Sequence, residues 1–176
     1  MNLLTYHDAG KAALQYDVPQ YNHNASALHG IILLRMKDLT GLTESRPDGK
    51  GSNEDLSGLA AAAFVRAIGQ ADEILSKTAE FYDALDAKGI AICGLLICGE
   101  DGGRKTVDGE KQTVDGQRST VYRQQAIEAF QKARKIAPHA GVVKSVLRLF
   151  DELVKCDEEG VLKEVREVID VKPLVE

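Results

Sequence analysis

Apolar positions recur along most of this chain at spacings of three and four residues, the period of an α-helix with one buried face. Asn2–Gln15 reads as a short first helix, stopped by Val18-Pro19. A second helix is predicted from a cap at Asn24 or Ser26 to about Thr40, with Gly41 just past its end. There Leu28, Ile32, Met36 and Leu39 share a face, and Ile31, Leu33 and Leu34 cover the other sides, which predicts a buried, central helix. A short buried strand over 29–34 is the competing reading of the same residues.

Thr43–Ser52, with one Pro and two Gly among mixed charges, reads as a loop. From Glu54 the helical period runs unbroken. Leu56, Ala60, Ala63, Phe64, Ala67 and Ile68 fall on one arc, and Ala71, Ile74, Leu75, Phe81, Tyr82 and Leu85 continue it. The expectation is one long central helix of roughly 50 Å, ending at Lys88-Gly89. The apolar run Ile90–Cys98 then reads as a buried strand, with a buried helix as the alternative. Gly99–Thr120 is polar and carries a duplicated Thr-Val-Asp-Gly at 106–109 and 113–116. Asp-Gly favours two-residue hairpin turns, so Arg104–Val107, Glu110–Val114 and Gln117–Tyr122 are predicted to form a small β-meander, or failing that a polar loop.

Three further helices follow, Tyr122–Ala137 closed by Pro138, Val142–Cys156 and Val161–Ile169, joined by short connections into a C-terminal three-helix unit over 122–170. The expected fold is therefore a single, mainly α domain over 1–176: a helical bundle with one long central helix and a small β-ribbon near residues 90–122, which leaves an α+β assignment open. Ala126–Pro138 resembles the second helix of a tetratricopeptide repeat in its small, aromatic, small and Pro positions. The resemblance covers 13 residues and stops at both ends, whereas a solenoid needs about three repeats. We read the segment as an ordinary amphipathic helix.

Composition adds limits. The chain has 176 residues, 44% hydrophobic and 28% charged, enough apolar content for a real core. Aromatics are 5% with no Trp, so that core is mostly aliphatic and Ala. The longest apolar run is about half of the ~20 residues a membrane helix needs. The first residues lack the basic start and apolar stretch of a signal peptide, and three cysteines make no disulfide framework, so a cytoplasmic setting is expected.

Chemistry-bearing motifs are absent. Gly49-Lys50-Gly51-Ser52 precedes a helix, but a phosphate-binding loop needs Gly where Glu44 stands and a hydroxyl where Gly51 stands. Cys93, Cys98 and Cys156 with four scattered His lack zinc-ligand spacing. His29, Asp38, Glu100 and Asp101 are bound to no catalytic pattern, although Gly99–Gly103 is where an active-site loop of a small enzyme would sit. We therefore expect no catalytic residue, cofactor or metal.

Charge is segregated within the net −5 of the chain. Arg118, Arg123, Lys132, Arg134, Lys135, Lys144 and Arg148 face one acid, Glu128, whereas residues 151–170 hold eight acids and three bases. Such faces serve internal pairing, contact between copies, or a phosphate backbone. The expected function is a non-enzymatic assembly, adaptor or structural subunit that contacts other protein subunits, as a homo-oligomer or within a larger complex. The alternatives are an accessory nucleic-acid-binding subunit using those seven basic residues, and a small enzyme with its site near 98–103.

Overall fold

The computed structural model describes residues 22–43, 53–99 and 112–170, together with Thr5, Tyr6, Asp8, Ala9 and Ala12. Side chains at 40–43, 53–55 and 112–118 lie outside this description. Among the described residues there are six helices and no strands: α1 (His23–Thr43), α2 (Asn53–Lys77), α3 (Tyr82–Cys98), α4 (Gln112–Ile136), α5 (Ala140–Val154) and α6 (Lys163–Ile169). The helical bundle is as expected; the β-ribbon is not.

α1 is capped by Asn22, two residues before Asn24 and four before Ser26. The Asn22 side chain accepts a hydrogen bond from the Ala25 amide at 3.1 Å, and its carbonyl accepts from Ser26 N at 3.0 Å. Asn24 and Ser26 are inside the helix and bond other helices instead. The helix continues through Gly41 to Thr43.

The long central helix is two helices. α2 ends at Lys77, the Thr78 amide closes its last turn onto Ile74 O at 2.8 Å, and Phe81 in extended backbone starts α3. Neither Gly nor Pro marks the break, and the apolar phase runs through it. What decides it is tertiary packing: reversal at 78–81 lays α3 antiparallel on α2. Gly89, read as a terminator, lies in mid-helix, where a β-carbon would stand 2.6 Å from the Phe130 ring.

Ile90–Cys98 is the second half of α3, so the helical alternative holds and the strand does not. Its run is continuous because α3 is the central helix, packed by α1, α2, α4 and α5. Residues of the expected third strand, Gln117–Tyr122, belong to α4, as do 112–114 of the second; Arg104–Val107 lies outside the described residues. A polar ribbon has too little to bury to outweigh extension of an adjoining helix.

Specific pairs set the directions. Ser26 Oγ donates to Gln70 Oε1 at 2.9 Å and Lys37 Nζ to Ser57 Oγ at 3.4 Å, which makes α1 and α2 antiparallel. Lys88 Nζ meets Asp72 Oδ1 at 2.5 Å, while Phe64 fills the space at Gly94, so α2 and α3 are antiparallel too. Arg134 with Asp86 and Phe130 with Gly89 do the same for α3 and α4. The core centres on Phe64, Phe130 and Phe150, none of them solvent-accessible, with the last two rings edge to face at 6.2 Å.

Candidate contact surfaces

α2 and α4 both flank α3, and the space between them is a groove of about 550 Å³. Its floor is Leu85, Ile92 and Leu95 of α3. Val65 and Ile68 form the α2 wall; Tyr122 and Ala129 form the α4 wall. The ion pair of Lys88 with Asp72 crosses one end, and Lys132 stands on the α4 side. Two aliphatic side chains on these walls' helices face solvent: Val65, in the lining, at 59% exposure, and Val121, next to Tyr122, at 52%. Scattered exposed apolar residues are normal, but these lie on the two helices that wall one groove. The pattern held a signal for it, since Val65 is an apolar residue off the arc that α2 buries.

A second cleft, of about 560 Å³, opens at the far end of α3. Leu34, Leu96, Ile97 and Val161 make its apolar wall. Its polar members are Lys37 and Asp38 from α1 and Cys156, Asp157, Glu158 and Glu159 from the turn after α5. That turn is built by Asp157, whose carboxylate accepts the amides of Val161 at 3.0 Å and Leu162 at 2.9 Å and so starts the approach to α6. Asp38 is paired with Arg35 at 2.5 Å. This cleft is where an enzyme near 98–103 would have its site. Gly99 lines it, Glu100–Gly103 lies outside the described residues, and no histidine is among its lining residues. Burial pushes the neighbouring Cys98 thiol up to about 12 and raises Cys156, which keeps both protonated and weakly nucleophilic.

The basic segment divides. Arg134 is 8% exposed, and its Nη2 donates to both carboxylate oxygens of Asp86, itself 5% exposed. Burial pushes Asp86 up to about 6, with the Arg134 charge and hydrogen bonds pulling the other way. Arg134 is thus a link between α3 and α4 and presents no charge to a ligand. Arg123 Nη1 stands 3.6 Å from Glu164 Oε2 of α6. Lys132, Lys135, Lys144 and Arg148 are exposed where α4 ends and α5 begins; the side chain of Arg118 lies outside the described residues. Spacing would pair Arg148 with Glu152 and Asp151 with Lys155 within α5; instead Asp151 holds Arg166 at 2.9 Å, and Glu152 holds Lys155 at 2.5 Å.

One turn from Asp86, Asp83 ties α3 to the start of α1. Its Oδ2 lies 3.1 Å from His23 Nε2 and accepts from Asn24 Nδ2 at 2.7 Å. The bond from His23, helped by Asn24, outweighs burial and holds Asp83 below the usual carboxylate range. Among the described residues no three His, Cys, Asp or Glu side chains are grouped as metal ligands would be, and no helix is long and apolar enough to cross a membrane.

No protein-family model, no curated protein and no solved structure matches the chain.

Proposed function

We propose that this chain is a non-enzymatic subunit that works by contact, as an assembly or adaptor component in a cytoplasmic complex. The observation that carries the reading is the groove between α2 and α4, with Val65 exposed on its α2 wall and Val121 exposed on α4 next to Tyr122 of the other wall. Two helices flanking a third leave room for one more, and an amphipathic helix of another subunit would bury those side chains. Each fully buried aliphatic side chain contributes on the order of 2 kcal/mol, so a few suffice to bias a contact.

The test is a photo-crosslinking residue at position 65 in cells, compared with one at exposed Glu73. The reading expects a discrete cross-linked partner from position 65 alone, lost when Val121→Asp is added while the fold, followed by circular dichroism, is kept. Identical smears from both positions would remove the groove as a contact surface. Among the described residues the nucleic-acid alternative keeps Lys132, Lys135, Lys144 and Arg148 as exposed cations, with Arg134 bound to Asp86 and Arg123 beside Glu164.

A further inference from the structure

α3 and α5 run between the α4–α5 corner, whose own charged residues are basic, and an acidic cleft. Glu73 of α2, Glu80 of the 78–81 turn and Asp83 of α3 also stand at the corner's end of the bundle. At one end α4 stops at Ile136 and α5 starts at Ala140. This corner bears Lys135 and Lys144, flanked by Lys132 on α4 and Arg148 at the middle of α5, all exposed, and the sequence has no carboxylate between Glu128 and Asp151. At the other end lies the cleft with its apolar wall of Leu34, Leu96 and Val161 and its acidic members Asp38, Glu158 and Glu159, the last two exposed. The pair Asp86 with Arg134 marks the first end of α3, and Gly99 in the cleft marks the second. With 17 residues, α3 separates them by about 25 Å.

We infer that the acidic cleft receives the basic α4–α5 corner of a second copy of this chain, in a head-to-tail contact. Charge complementarity selects the occupant. A lysine or arginine entering the cleft lays its alkyl stem on the Leu34–Leu96–Val161 wall and its cation among Glu158 and Glu159. Among the described lining residues Lys37 is the one cation, and its Nζ donates to Ser57 Oγ at 3.4 Å. Since donor and acceptor surfaces lie at opposite ends, one contact leaves both a free cleft and a free corner. The contact is heterologous, and it propagates into a ring or a filament rather than stopping at two copies. The inference rests on the contact reading in making the chain a subunit, but the charge reversals that test it change only residues outside the groove.

The test uses the full chain, light scattering after size exclusion over a range of concentrations, and two charge reversals. One variant carries Glu158→Lys and Glu159→Lys; the other carries Lys135→Glu, Lys144→Glu and Arg148→Glu. All five positions are exposed, so helix content is expected to stay unchanged. The wild-type mass rises with concentration and falls to the monomer in high salt. Each variant alone self-associates at least about tenfold more weakly, because like charges now face each other. An equal mixture of the two variants reassociates, since each then presents what the other accepts. A wild-type monomer at every concentration overturns the inference, as does an oligomer that neither reversal disturbs. If that undisturbed oligomer falls apart with Val65→Asp, copies meet through the groove and the contact reading survives without this one. Absorbance at 260 nm that follows the wild-type peak and is lost in the corner variant assigns the cations to nucleic acid and also overturns it.

Discussion

The ring of Phe64 occupies the space in which a β-carbon on Gly94 would have to stand. On its other side the same ring meets Gly30, where a β-carbon would be 2.5 Å from Cε1. One side chain of α2 thus sets how closely α1 and α3 approach, and the glycines on both are spaces for a ring rather than helix breakers. Gly94→Ala is expected to destabilise by about 1–3 kcal/mol despite the better helix propensity of Ala, because the buried ring has nowhere to move. Gly69→Ala in α2, with nothing within 4 Å, is expected to stabilise by about 0.5–1 kcal/mol. Urea denaturation of the two variants checks the pair; the same sign for both would contradict the packing described.

Asp86 and Arg134 form a pair whose halves need each other. Asp86→Ala leaves a guanidinium buried without its carboxylate and is expected to cost about 3–5 kcal/mol. Replacing both, with Asp86→Leu and Arg134→Met, is expected to be far milder than the single change, since no uncompensated charge remains. Denaturant midpoints for Asp86→Leu alone, Arg134→Met alone and the double variant give the coupling. Additive losses would mean the two do not act as a unit.

The two carboxylates of α3 respond to pH in opposite senses. Asp83 is held below its unfolded value by His23 and Asn24, so its contribution is present above the ordinary carboxylate range and is lost as pH falls through the depressed pKa. Asp86 is raised to about 6, so the folded state binds its proton more tightly, and stability declines as pH rises from the unfolded value toward 6. Carbon-detected carboxyl titration of the folded chain is expected to show one aspartate titrating near 6 and one well below its peers. Asp83→Asn is expected to flatten the acid limb of the stability profile, and an unchanged limb would count against the bond to His23.

Asp157→Ala removes the acceptor of two backbone amides and is expected to cost about 1 kcal/mol. The loss is local. Hydrogen exchange is expected to quicken in α6 and the 157–162 turn while α2 and α3 keep their protection. Uniform acceleration across the chain would assign Asp157 a global role.

Much of this fold is written in local pattern. α1, α5 and α6 lie within a few residues of where apolar spacing puts them, and Pro138 follows the end of α4 as expected. The failures share one cause. Gly89 and Asp115-Gly116 carry local signals for a stop and a turn, and both are inside helices. At Gly89 the reason is a ring 41 residues away in the chain, which no local window contains. The break at 78–81 is equally invisible, because the phase of α2 and α3 happens to match across it. The groove was half legible: Val65 falls off the buried arc, but that α4 would stand opposite it depends on tertiary placement. Arg134 shows the limit of counting charge, since its sequence neighbours are exposed cations while its own partner sits on another helix.

A ring seated between two backbones keeps time as well as distance. For Phe64 to rotate about its axis, α1 and α3 have to move apart at Gly30 and Gly94 together, so its flip rate reports how often the bundle opens at its middle. Phe81, partly exposed at the 78–81 turn, has no such constraint and is the fast internal reference. Aromatic resonances of Phe64 broadened or doubled by slow exchange, beside a sharp set from Phe81, would make this molecule's breathing directly visible in a spectrum.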